Sequence, residues 1–251
     1  MRRLLVGGER PPFGGLVGAY QVIAGGDADR NDRQALLAPV FMLSFLLDAL
    51  LAERDQFGAE RVVVTSASSK AALGPGAPVA AARRARRRAD VGSQRGLRRG
   101  TGCLRHVVSY DDRDHVGDGT AAVIDVAGDQ VVANALSDAL ADRLRQHVSA
   151  GFTHRVRDTR DDEGEGGLGT LFFAPDQMIA RTREWDRGEF RDRFAAALDD
   201  FAGWTTAWLR LVRASGADAV DAAYYRTRRG QVAPTDGVIL SLHPRGRPDR
   251  C

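Results

Sequence analysis

The sequence predicts an α/β protein built on a parallel sheet, and three observations carry that reading. Arg61-Val62-Val63-Val64-Thr65 is a β-branched run that passes straight into a Ser- and Ala-rich turn, the pattern of a strand buried on both faces and followed by a helix. Short apolar runs of the same kind recur at 106–110 and 121–126, separated by stretches with helical spacing. The chain of 251 residues, 43% of them hydrophobic, is long enough to bury a sizeable core around such a sheet.

Taken in order, residues 1–33 are rich in Gly, Pro and Asp and read as an irregular lead-in with one short strand around 17–23. A helix is predicted from Arg33 to about Asp55, with Pro39 tolerated in an early turn and Gly58 ending the pattern. Its apolar stretch, 38–52, carries Asp48 and falls short of the ~18–20 residues that cross a bilayer, so it reads as a buried helix and no membrane span is expected. The strand at 61–65 comes next, with a helix starting at Ala71-Ala72-Leu73. Beyond 121–126, a helix is predicted for 130–145, a strand for 147–152, an acidic Gly-rich loop for 158–169 and a short strand for 171–174. Two helices close the chain, at 187–213 and 217–229. The first is marked by Phe190, Phe194, Leu198, Phe201, Trp204, Trp208 and Leu211 at helical spacing. Residues 34–180 thus form the α/β region, and 181–251 a C-terminal helical extension and tail.

Charge is unevenly spread. The chain carries +3, yet residues 75–105 hold nine arginines against Asp90 as their one acid, so the remainder is net acidic. Lys70 is the single lysine, a bias expected of a very GC-rich gene. Cys103 and Cys251 have neither metal-ligand spacing nor the density of a disulfide scaffold. Gly7, Gly8, Glu9 and Arg10 interrupt the apolar start too early for a signal peptide, and a cytoplasmic location is expected.

The strand-to-helix turn after Thr65 is the first candidate site. Such a turn offers backbone N–H groups to a pyrophosphate, with Ser66, Ser68 and Ser69 adding hydroxyl donors and Lys70 a positive charge. It lacks the glycines that usually permit close approach of phosphates. The alternative is a Ser-rich turn that only caps the helix.

Several segments together bear on that choice: Phe41-Met42-x-Ser44-Phe45-Leu46-Leu47-Asp48, Phe57-Gly58-Ala59, Val64-x-Ser66-Ala67-Ser68-Ser69-Lys70-x-Ala72-x-Gly74, Gly102-Cys103, Val107-Val108-Ser109-Tyr110-Asp111, Gly151-x-Thr153-His154, Leu171-Phe172-Phe173-Ala174-Pro175 and Leu240-Ser241-Leu242. As a set they resemble domain-of-unknown-function family 2855, a divergent branch of the medium-chain dehydrogenase/reductase superfamily. The resemblance implies a partial Rossmann-like nucleotide-binding region within 34–180 that takes NADP(H), with Ser-Ala-Ser-Ser-Lys in place of the glycine-rich turn. It also implies a barrel-like catalytic domain at the N-terminus, which this chain starts too late to contain. The implied function is a divergent NADP(H)-dependent oxidoreductase acting on an unidentified small molecule; a non-catalytic nucleotide-binding or interaction protein is the alternative. Asp125 and Gly128 are carried over by position beside the cofactor. Thr153 and His154 fall where the nicotinamide ring lies in this fold, the other reading being a structural histidine. The resemblance assigns neither a catalytic residue nor an oligomeric state.

Residues 75–101 depart from the family as an arginine-rich stretch almost without large apolar side chains. One choice of synonymous codons, read one base later, turns 73–79 into Leu-Gly-Leu-Ala-His-Leu-Leu, continuing the helix. The same operation on 89–101 restores a Thr-Ser-Ala-Arg loop. A compensating frameshift is therefore expected, with poor folding and weak or absent cofactor binding as its consequences, because Pro75 breaks the helix at a cost of about 3 kcal/mol and the ribose-reading loop is lost. The competing readings are a nucleic-acid-binding arginine segment, disfavoured by its lack of interleaved aromatics, and a solvated linker. Asp111, Asp112, Asp114 and His115, and the acidic run 161–163, read as solvated loops, so no metal is expected.

Overall fold

The computed structural model describes residues 27–66, 87–91, 106–109, 116–150 and 170–242. The chain divides into two compact units, Val40–Phe201 and a second formed by Met1–Pro39 with Ala202–Cys251.

The first unit is a mixed α/β structure on a six-stranded sheet. Its strands are β1 (Arg61–Thr65), β2 (Arg87–Val91), β3 (His106–Val108), β4 (Ala121–Asp125), β5 (Leu144–Ser149) and β6 (Thr170–Leu171). Their order is β3-β2-β1-β4-β5-β6, with every neighbouring pair parallel. The unit also contains most of α1 (Ala28–Glu53), then α2 (Gln130–Leu140), α3 (Ala174–Trp185) and most of α4 (Arg187–Thr205).

Alternation along β1 explains why its apolar run is continuous. Val62 and Val64 face one side, packed with Leu46, Leu47 and Leu51 of α1 and Phe190 of α4. Val63 faces the other, with Val123 of β4 and Leu136 and Leu140 of α2. Both faces of the sheet are covered, as a parallel sheet requires. On the α1 side, Phe41 stacks on the fully buried Phe201 with ring centroids 4.6 Å apart, and Phe45 meets Phe190 and Phe194 edge-on at 5.9 and 5.5 Å. Arg181, buried, ties α3 to the end of α1 through Glu53 at 2.5 Å. α1 is long and apolar enough to cross a membrane by length and composition alone; here its side chains Leu46, Leu47 and Leu51 belong to the core.

The second unit contains β7 (Arg210–Ser215), α5 (Ala217–Arg228) and β8 (Asp236–Ser241), a parallel pair with a helix as its crossover. The first residues of α1 pack on it. Arg213 donates to Asp32 and Asp29 at 2.6 and 2.5 Å, bonds that hold the guanidinium pKa above its ordinary value. Arg33 donates to the Leu209 carbonyl at 2.8 Å. Gly237 lies so close to Leu36 that a Cβ there would clash with its Cδ2, which excludes a side chain unless Leu36 moves.

The α/β class, with its parallel sheet, agrees with the sequence-based expectation, while several elements differ. The C-terminal region is not purely helical. α4 stops at Thr205 instead of running to 213, because Thr205 turns the chain with bonds to its carbonyl from Trp208 and Leu209, and Leu211 then belongs to β7. α3 was not expected, although Pro175 in its first turn is a helix-start signal. The expected strand at 171–174 shrinks to Thr170–Leu171. α2 ends five residues early at Leu140, where Ala141 adopts φ 44°, and β5 accordingly begins at Leu144. Within the arginine-rich stretch, expected to hold no ordinary element, Arg87–Val91 forms β2 between β1 and β3. Ladder pairing on both edges overrides poor strand propensity there. The strand expected at 17–23, the helix start at 71–73 and the acidic loop 158–169 lie outside the described residues.

Candidate functional site

The sheet order reverses at β1. The connection from β1 leads to β2 on one side, whereas β4 returns to pair on the other, so β1 and β4 are neighbours whose chains depart in opposite directions. Such a divergence opens a crevice at the carboxyl ends of the two strands. Thr65 and Ser66 end β1 there, and Asp125 to Gly128 leave β4.

A buried hydrogen-bonded knot joins the two strand ends. The Thr65 hydroxyl donates to Asp125 Oδ1 at 2.6 Å, and Thr65 Oγ1 accepts from the backbone N–H of Val126 and Ala127 at 3.0 and 3.2 Å. Asp125 Oδ1 also accepts from the N–H groups of Ala127 and Gly128, each at 3.1 Å. Thr65 is fully buried and Asp125 nearly so. Gly128 takes φ 69°, a left-handed conformation natural to glycine. Asp129 then caps α2, accepting from Val131 and Val132 N–H at 3.0 and 3.3 Å. Next along the edge, Ala150 N–H donates to the Asp125 carbonyl at 2.8 Å.

This geometry decides what the β4–α2 turn can do. The N–H groups of Val126, Ala127 and Gly128 point inward to Thr65 and Asp125, and those of Val131 and Val132 to Asp129. These groups are committed to the protein itself. Asp125 and Gly128 therefore stand at the candidate site as braces of its wall.

Ser66 begins the other wall with φ 53°, a region costly for a residue with a Cβ and the usual reason for glycine at such a turn. Ser66→Val is expected to lower stability by about 1–2 kcal/mol, since a β-branched residue suits that backbone least, whereas Ser66→Gly is expected to be tolerated; urea unfolding of the two variants measures the difference.

Of the residues singled out in the sequence, the structure brings Ser66, Asp125 and Gly128 to one edge. Ser68, Ser69, Lys70, Thr153 and His154 lie outside the described residues, as do Asp111 to His115. Sequence reasoning missed Thr65, the residue that links the two strands. Its signal was a hydroxyl closing a run of three valines. Among the described residues no group of three His, Cys, Asp or Glu side chains is placed to hold a metal.

Residues 16–233 match the model of a family described as Protein of unknown function (DUF2855). No curated protein matches the chain.

Proposed function

The chain belongs to the DUF2855 family, and from that membership together with the divergence of β1 and β4 we propose that it is a Rossmann-like NADP(H)-binding protein of the medium-chain dehydrogenase/reductase lineage. The observation that carries the reading is the strand order β3-β2-β1-β4-β5-β6, with its reversal at β1, the strand that Ser66 follows. Open parallel sheets of this order bind dinucleotides at that point.

In this reading Ser66, Ser68, Ser69 and Lys70 face the pyrophosphate, while the Thr65–Asp125 knot braces the opposite wall. Bound NADP(H) would supply hydride chemistry, and the protein would orient the nicotinamide toward an unidentified carbonyl or enone in the cytoplasm. Thr153 and His154 are the proposed nicotinamide-side residues.

The stretch 75–101 is proposed to be a shifted frame, which leaves β2 in place but alters the loop after it, where a basic residue would meet a 2′-phosphate. Cofactor affinity and turnover of the chain as translated are then expected to be low.

A screen of aldehydes, ketones and enones for NADPH oxidation tests the catalytic half of the proposal, using a form with 73–101 recoded to the alternative frame. Substrate-dependent loss of NADPH absorbance is expected. Nucleotide binding without turnover across the screen would favour the alternative, a non-catalytic nucleotide-binding protein.

A further inference from the structure

α5 ends in a cluster that neither the sheet nor the candidate nucleotide site uses. Tyr224 and Tyr225 are 60% and 46% exposed, and their rings meet at 5.5 Å in a T-shaped pair. Arg226, Arg228 and Arg229 beside them are exposed as well, with the Arg229 guanidinium 6.0 Å from the Tyr225 ring centroid. From Ala222 to Gln231 there is no acidic residue, and among the described residues no acid pairs with these three arginines. The helix is anchored by the buried Ala223.

Arginines at a helix C-terminus have a structural use, because they complement the helix dipole. That accounts for the charges and leaves the tyrosines unexplained, since two adjacent large rings held outward give up the burial that usually places them. An exposed aromatic pair flanked by exposed guanidinium groups suits a ligand with flat rings for stacking, joined by phosphates. Duplex bases are already stacked on one another, so only unpaired bases can use the tyrosine faces.

We propose that the C-terminal end of α5 is a docking surface for single-stranded nucleic acid, with Tyr224 and Tyr225 stacking on bases and Arg226, Arg228 and Arg229 contacting phosphates. The surface lies outside the arginine-rich stretch 75–105, and the proposal does not depend on that stretch.

Fluorescence anisotropy of a labelled single-stranded 15-mer, titrated with the full chain at low salt, tests it. Tyr224→Ala combined with Tyr225→Ala is expected to weaken binding by about tenfold or more. Arg228→Ala is expected to flatten the dependence of log affinity on log salt by about 0.7, the contribution of one phosphate contact on a single strand. Thermal melts of each variant check folding, and if the double tyrosine variant is unfolded the Arg228→Ala slope decides alone. Undiminished binding by a folded double tyrosine variant would overturn the proposal and move any affinity to the arginine-rich stretch. Absence of wild-type binding, equal affinity for duplex, or preference for anionic phosphatidylglycerol vesicles would overturn it as well.

Discussion

Asp125→Ala is expected to lower the free energy of unfolding by about 3–5 kcal/mol, because the side chain it removes is the shared acceptor of three donors in a buried place. The Thr65 hydroxyl and the N–H groups of Ala127 and Gly128 all converge on Oδ1. Ala127 retains Thr65 Oγ1 as an acceptor, but the Gly128 N–H and the Thr65 hydroxyl lose theirs. Asp125→Asn keeps an oxygen at Oδ1 and is expected to lose less than half as much. Urea unfolding followed by far-ultraviolet circular dichroism compares the two. Equal losses would show that the knot is not held by that oxygen. The functional consequence comes from position, since the same knot fixes the wall opposite Ser66.

Phe201→Ala is expected to be comparably severe, at about 3–5 kcal/mol. Phe201 is fully buried and stacks on Phe41, which is itself in tilted contact with Phe45 and Phe194. Removing the ring leaves a cavity in a cluster of rigid aromatic rings that cannot collapse easily to fill it. Phe201→Leu retains most of the apolar volume and is expected to cost markedly less. The midpoint of thermal unfolding reads both, and a small shift for Phe201→Ala would mean that α1 and α4 repack around the gap.

How far the fold could be read from the residues differs by element, for physical reasons. β1 and β4 were legible because a parallel strand buried on both faces must be apolar at every position, and Val62 to Val64 and Ala121 to Ile124 are. α1 was legible through its length, although its start at Ala28 lies before the predicted Arg33, since Asp27 accepts from Asp29 and Arg30 N–H at the helix entry. β7 was hidden because Trp204, Trp208 and Leu211 continue a helical spacing across the point where Thr205 turns the chain. β2 was hidden because its sequence, Arg-Arg-Ala-Asp-Val, has nothing of a core strand, and its place comes from the ladders on either side.

The candidate site was half legible. Ser66 and Asp125 each stand at the end of a readable strand, so their positions could be inferred one at a time. Their mutual arrangement could not, because Thr65 and Asp125 are brought together by strand adjacency across sixty residues of sequence. That adjacency also changes the role open to Asp125 and Gly128. As isolated residues after a strand they look available to a ligand, and in the folded edge their polar groups turn inward.

The central proposal is that dinucleotide binds over the turn after β1, and NADPH titration read by the rise in nicotinamide fluorescence tests it most directly. Three proteins suffice: the chain as translated, the form recoded over 73–101, and Lys70→Ala in the recoded form. Saturable binding by the recoded form is expected, with affinity about tenfold lower, or about 1.4 kcal/mol, in Lys70→Ala and reduced at least as much in the chain as translated. No saturable binding by the recoded form, or binding indifferent to Lys70→Ala, would contradict the assignment of that turn.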